Sequence, residues 1–410
     1  MTFRRWRHVG LGLGLVCGCH PTNQTEANAP TQHVQSTAQP APSVSKPIDA
    51  PLQNGKRSSS TNPPIMQLPG ASRVFSQDLD GDGQDEVLGA HTGEIWAYKV
   101  VPAGFQKLWS LKGQGTVHQV AFGTLGANGD TSSPSLYLAW GVARGALKAP
   151  LAVDRVVPLT GKRIRLWEHD GPRNEPAYLA IEDTDGDDSL DLAFAYYASK
   201  YMVKPYHFSA DGGVKPGKAV RMASARAYGR AFSPTLHAEV IGRVYGDARG
   251  LSGDLNLNTA SGQRKIPTED GVRSVLIARV GDDTVPHIYF ADGWVADYGK
   301  SAKAQLKRVA KLEPEVVVET VGRSDEEFTF FNLRAIDLNG DGRQELLARG
   351  NKWMHVFQMI DGNWRRFKVA QLPPVLNAAI MIGKKRQPSV VIPNEKSVIL
   401  RPISMAWSTP

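Results

Sequence analysis

The chain has 410 residues, 41% of them hydrophobic, and a formal net charge of +8. That apolar content can build one large core or two modest ones and excludes a wholly disordered chain. The basic excess is mild and gives no ground for nucleic-acid binding.

Residues 1–18 begin with Arg4, Arg5 and Arg7, followed by a short apolar run from Val9 to Val16. A basic start and an apolar stretch too short to span a bilayer predict a cleaved export signal. Val16, Cys17 and Gly18 lead into Cys19, and this run resembles the lipobox of bacterial lipoproteins. The resemblance implies that Cys19 is lipidated, becomes the new N-terminus and anchors the protein to a membrane of the bacterial cell envelope. His20 rather than Asp follows that cysteine, which by the sorting rule of some enteric bacteria implies the outer membrane. Loss of residues 1–18 removes three arginines and lowers the charge from +8 to +5.

Cys17 and Cys19 are the only cysteines. The exported part therefore has no disulfide, thiolate metal site or cysteine nucleophile. Residues 19–64 are rich in Pro, Ser, Thr, Asn, Gln and Ala, with almost no large apolar side chain. Such a segment cannot bury enough surface to offset its chain entropy, and it is expected to be a disordered tether.

Residues 65–410 are repetitive. A unit consists of an apolar strand, a tight turn, a second strand, a third strand often carrying an aromatic, and a more polar fourth strand. In the first unit these are SRVFSQ, the turn, EVLGA, EIWAYKV and FQKLWSL. In the sixth they are FFNLRAI, the turn, ELLAR, KWMHVFQM and WRRFKVAQL. RIRLWEH and AQLKRVAKL are read as fourth strands of other units; an amphipathic helix is the competing reading of the segment from Lys300. Weaker copies begin after Val117, after Met222, at Arg273 and at Asn377, giving seven units. Short strands at this spacing predict an all-β, seven-bladed β-propeller, for which about 45–50 residues per blade is usual. MQLPGASRV from Met66 echoes AQLPPVLNA from Ala370, and the last unit has room for only three strands. Ile65 to Leu68 are therefore expected to supply its outer strand and close the ring.

Three turns share one pattern: DLDGDGQDE from Asp78, DTDGDDSLD from Asp183 and DLNGDGRQE from Asp337. Oxygen donors at alternate positions, with glycines permitting the bend, suit a hard cation such as Ca²⁺. The first turn offers Asp78, Asp80, Asp82, Glu86 and the Gln84 carbonyl; the second Asp183, Asp185, Asp187, Asp191 and the Ser189 carbonyl. The third offers Asp337, Asn339, Asp341, Glu345 and the Arg343 carbonyl. An EF-hand requires Glu at the twelfth position, where these turns have Gly89, Phe194 and Ala348. The pattern instead resembles the FG-GAP (VCBS) repeat of integrin α-subunit propellers and many exported bacterial propellers. That resemblance implies structural calcium at up to three sites, each bracing the turn between a blade's first two strands.

The sequence carries no HExxH, GxSxG or GxxxxGK[ST] motif. Trp96, Trp140, Trp294 and Trp353 fall on strand positions and are expected to pack blades. The expected role is a non-enzymatic scaffold binding a protein or polysaccharide through one face of the disc. The alternative is a propeller enzyme, a polysaccharide lyase or glycoside hydrolase acting on an extracellular glycan. A central funnel with unpartnered ionic groups would favour the enzyme.

Overall fold

The computed structural model describes residues 67–403, apart from short internal stretches of which 294–303 is the longest. The expected signal, Cys19 and tether lie outside the described residues. Every element among the described residues is a β-strand.

The strands form seven antiparallel sheets that follow one another along the chain. Blade 1 covers residues 73–112, blade 2 116–169, blade 3 175–221, blade 4 228–268, blade 5 272–324 and blade 6 331–371. Blade 7 combines residues 379–402 with the N-terminal strand Gln67–Pro69. Within each blade the four main strands pair in sequence order, and the first strands of blades 7, 1, 2, 3, 4, 5 and 6 pack against one another in turn. They line the axis of the ring. Antiparallel pairing then puts the first-to-second and third-to-fourth connections of every blade on one face of the disc.

Ring closure follows the expected route, with Gln67–Pro69 as the closing strand. Gln67 lies opposite Ile399, Leu68 opposite Val398 and Pro69 opposite Ser397; Ile65 and Met66 are outside the described residues. Leu68 is 3% exposed and packs with Val74, Val391 and Val398. Pairing the two ends of the chain in one sheet hides an edge that would otherwise be open.

Core side chains lie between blades. Trp96 and Trp140 are buried, as expected of packing residues. Each depends on a neighbouring glycine: a Cβ on Gly89 would stand 2.1 Å from the Trp96 ring, and one on Gly113 2.5 Å from Trp140. Trp353 is half-buried, with the Lys368 ammonium 5.5 Å from its ring centre; Trp294 lies outside the described residues.

One strand assignment is corrected. AQLKRVAKL is the third strand of blade 5, Ala304–Lys311, and Val317–Ser324 forms the fourth. Its cations are matched across the sheet: Lys307 Nζ lies 2.7 Å from Asp292, and Arg308 pairs with Glu319 at 2.8 Å. A charged strand read as an outer edge is an inner, ion-paired one.

Two arginines on the funnel-lining strands have close partners. Arg73 donates to His118 Nδ1 at 3.2 Å, so His118 carries its proton on Nε2 and donates it to the Val142 carbonyl at 2.9 Å. Arg230 pairs with Glu182 at 2.7 Å and with Glu239 at 2.9 Å.

Candidate metal centre

The first acidic turn joins strand Arg73–Gln77 to strand Glu86–His91. Asp78 organises it, accepting from the Gly81 amide at 2.7 Å and the Gly83 amide at 2.9 Å. Both glycines have left-handed backbone, φ 76° and 79°, which L side chains resist. Asp80 accepts from the Asp82 amide at 3.2 Å, and Asp82 accepts from the Gln84 amide at 2.9 Å. Glu86 reaches back from the second strand to accept from the Leu79 amide at 2.8 Å. Each carboxylate is thus fixed by main-chain donors.

The third turn repeats this geometry. Asp337 accepts from Gly340 at 2.6 Å and Gly342 at 3.1 Å, Asn339 from Asp341 at 2.9 Å, and Asp341 from Arg343 at 2.8 Å. Glu345 accepts from the Leu338 amide at 2.8 Å, as Glu86 does from Leu79. The Arg343 side chain turns away and pairs with Asp282 of blade 5 at 2.9 Å.

The second turn is a looser copy. Asp183 accepts from the Asp188 amide at 3.1 Å, and Asp187 from the Ser189 amide at 2.8 Å. Asp188 replaces the glycine of the other turns and adopts φ 64°, a region Asp tolerates better than most non-Gly residues. Asp191 is buried and accepts from the Thr184 hydroxyl; Asp185 lies outside the described residues.

The first turn gathers donors suited to a hard cation. Carboxylate oxygens of Asp78, Asp80 and Glu86 lie within 4.8 Å of one another. Glu86 is fully buried, and its Oε1 has no hydrogen-bond partner. Burial, with repulsion from Asp80 and Asp78, pushes its carboxyl up to about 7 against the pull of the Leu79 amide. Glu345 is pushed up to about 7 in the same way, by burial first and then by Asp341 and Asp337. A buried carboxylate with an open oxygen, facing other carboxylates, is short of positive charge. An all-oxygen set suits Ca²⁺ or Mg²⁺ rather than a thiophilic or imidazole-preferring metal.

Sequence reasoning missed Lys99. It stands on the third strand of blade 1, bridging Asp80 and Asp82, the latter at 2.7 Å. Gln358 occupies the matching position in blade 6, since Leu346 pairs with Phe357 as Val87 pairs with Tyr98. The only signal was register: a residue 17 to 19 positions away comes beside the turn once the hairpin is drawn.

Fold and repeat together define the chain as a seven-bladed β-propeller. Comparison with known proteins finds no matching family model and no matching curated relative.

Proposed function

We propose that this protein is a lipid-anchored, calcium-braced propeller of the bacterial cell envelope, of the FG-GAP (VCBS) kind. In this reading it is a scaffold that binds a protein or polysaccharide through one face of the disc. The observation that carries the metal reading is the buried Glu86 Oε1, without a partner and beside Asp78 and Asp80. Asp78, Asp80, Asp82 and Glu86 would hold the ion in the first turn, and Asp337, Asn339, Asp341 and Glu345 in the third. The carbonyls of Gln84 and Arg343 would join them. In the second turn Asp183, Asp185, Asp187, Asp191 and the Ser189 carbonyl would do so. Bound calcium supplies the missing positive charge and cross-links oxygens from both ends of a turn.

The scaffold reading is supported by the funnel, where Arg73 is spent on His118 and Arg230 on two glutamates. The anchor reading rests on Cys19 and its preceding residues.

The test is thermal unfolding in excess EDTA and again in millimolar calcium, because a ligand of the native state must stabilise it. Calcium should raise the melting temperature, and Asp80→Ala and Asn339→Ala should each reduce that rise. An identical melting temperature under both conditions would remove the metal from the account.

A further inference from the structure

On the face that carries the acidic turns, a cavity of ≈ 350 Å³ opens between blades 2 and 3. It sits at the end of the apolar core shared by those blades, where Tyr137 packs with Phe194 and Phe208. Blade 2 supplies one wall. Tyr137 and Arg155 are cross-strand neighbours there, and Ser135 lies two residues from Tyr137 on the same face. Arg155 Nε donates to Ser135 Oγ at 2.9 Å, which sets the plane of the guanidinium. Among the described residues nothing pairs with its terminal nitrogens, although Arg155 lines the cavity and is exposed.

Blade 3 supplies the opposite wall through its third-to-fourth turn. Asp211 accepts from Ser209 Oγ at 2.5 Å and from the Gly213 amide at 3.0 Å. Those hydrogen bonds hold its carboxyl below the usual range, so it stays ionised. Leu166 and Phe208 add apolar surface to the lining. The Thr124 side of the mouth continues into Gly126–Ala127, a short strand that pairs with Leu190 and Ser189 of blade 3. The opening is therefore braced from both blades.

This combination selects for a ligand. A fixed guanidinium with free terminal donors recognises a planar carboxylate in two-point fashion. A fixed carboxylate in the lining accepts from neighbouring hydroxyls, and the apolar surface of Leu166 and Phe208 suits the C–H face of a sugar ring. Asp211, on the cavity wall, opposes a dianionic phosphate. A neutral sugar would leave Arg155 without a match, and an isolated peptide carboxylate would leave Asp211 without one. A volume of this size accommodates one or two sugar units.

We propose that the cavity between blades 2 and 3 binds a carboxylate-bearing saccharide, Arg155 holding the uronic-acid carboxylate and Asp211 accepting the ring hydroxyls. The proposal rests on the polysaccharide-binding reading of the disc and narrows it to acidic glycans.

Titration calorimetry on the full chain tests it, using oligomers of galacturonate and of glucuronate, their carboxyl-reduced counterparts, and a short acidic peptide. An acidic oligomer should bind at one site per chain, and its reduced counterpart should bind about tenfold more weakly or worse. Arg155→Gln should cost about tenfold or more in affinity and Asp211→Asn a smaller factor. Both side chains are exposed, so both variants should keep the parent melting temperature. Acidic oligomers that bind with full affinity to both variants would overturn the cavity assignment while leaving the glycan-binding reading intact. Binding of the peptide but no saccharide, lost in Arg155→Gln, would overturn the saccharide assignment in favour of a protein ligand. No binding of any oligomer by the folded chain would overturn both.

Discussion

The Gly281 amide donates to the Gln344 carbonyl at 2.9 Å, stitching the first connection of blade 5 to the acidic turn of blade 6. The same position is used at the other two acidic turns. In blade 1 the Asp85 amide donates to the Ile382 carbonyl of blade 7 at 2.8 Å, and the Asp85 side chain accepts from the Ile382 amide at 3.0 Å. In blade 3 Leu190 pairs with Gly126 of blade 2. Each acidic turn thus grips the preceding blade one residue before its closing acid. A cation in the turn would tighten a seam of the ring as well as a hairpin.

Asp85→Ala should therefore weaken the seam between blades 7 and 1. It removes a half-buried acceptor and leaves the Ile382 amide without that partner. The expected cost is about 1–2 kcal/mol, read from urea unfolding. Lys107→Ala, on the exposed fourth strand of blade 1, should change stability by less than about 0.5 kcal/mol.

Ring closure makes a larger demand on one side chain. Leu68 comes from the N-terminal strand yet is buried in blade 7 against Val398 and Val391. Leu68→Ala should cost roughly 2–4 kcal/mol in chemical unfolding, with protease cleavage appearing first near the chain ends. Protection unchanged from the parent would mean the closing strand contributes little.

Gly350 is required by a buried carboxylate. Glu327 is 1% exposed and accepts from the Lys352 amide at 2.9 Å, the Trp353 amide at 2.9 Å and His355 Nε2 at 3.1 Å. A Cβ on Gly350 would stand 2.3 Å from the Glu327 carboxyl carbon. Gly350→Ala should destabilise by about 1–3 kcal/mol through displacement of that carboxylate. A melting temperature equal to the parent's would show that Glu327 can retreat without loss.

Seven units, the closing strand and the three turns were legible because each depends on local chemistry. Asp-Gly turns set φ > 0 at Gly81, Gly83, Gly340 and Gly342, and alternation sets which face of a strand is buried. The misplaced strand of blade 5 shows where that logic stops. Lys307 and Arg308 look solvent-facing in sequence, but they form ion pairs with Asp292 and Glu319 of the neighbouring strands, and partners are a tertiary quantity. Lys99 beside the first turn and the cavity that Arg155 and Asp211 both line escaped for the same reason. Both are created by hairpin register and by blade-to-blade packing, neither of which leaves a local motif.

The buried acids give a pH signature to the chelated protein. Glu86 and Glu345 sit near 7 when folded, against an ordinary value of 4.5. Between those values the folded state holds protons that the unfolded chain has released, so stability falls as pH rises through the window. Glu182, also raised by burial, acts with the same sign. Metal-free protein should melt at a higher temperature at pH 5 than at pH 7.5. Calcium at pH 7.5 should restore much of the difference, because the ion replaces the proton. A metal-free melting temperature that climbs from pH 5 to 7.5 would contradict the burial of these groups.

Counting bound calcium decides whether the acidic turns are metal sites. Equilibrium dialysis of the chelated chain against labelled calcium should give at least two ions per chain, one each for the turns at Asp78 and Asp337. Asp78→Ala and Asp337→Ala should each remove one ion, and the double variant both. A parent chain that binds no calcium, or a count unchanged in the double variant, would contradict the assignment of these turns as metal sites.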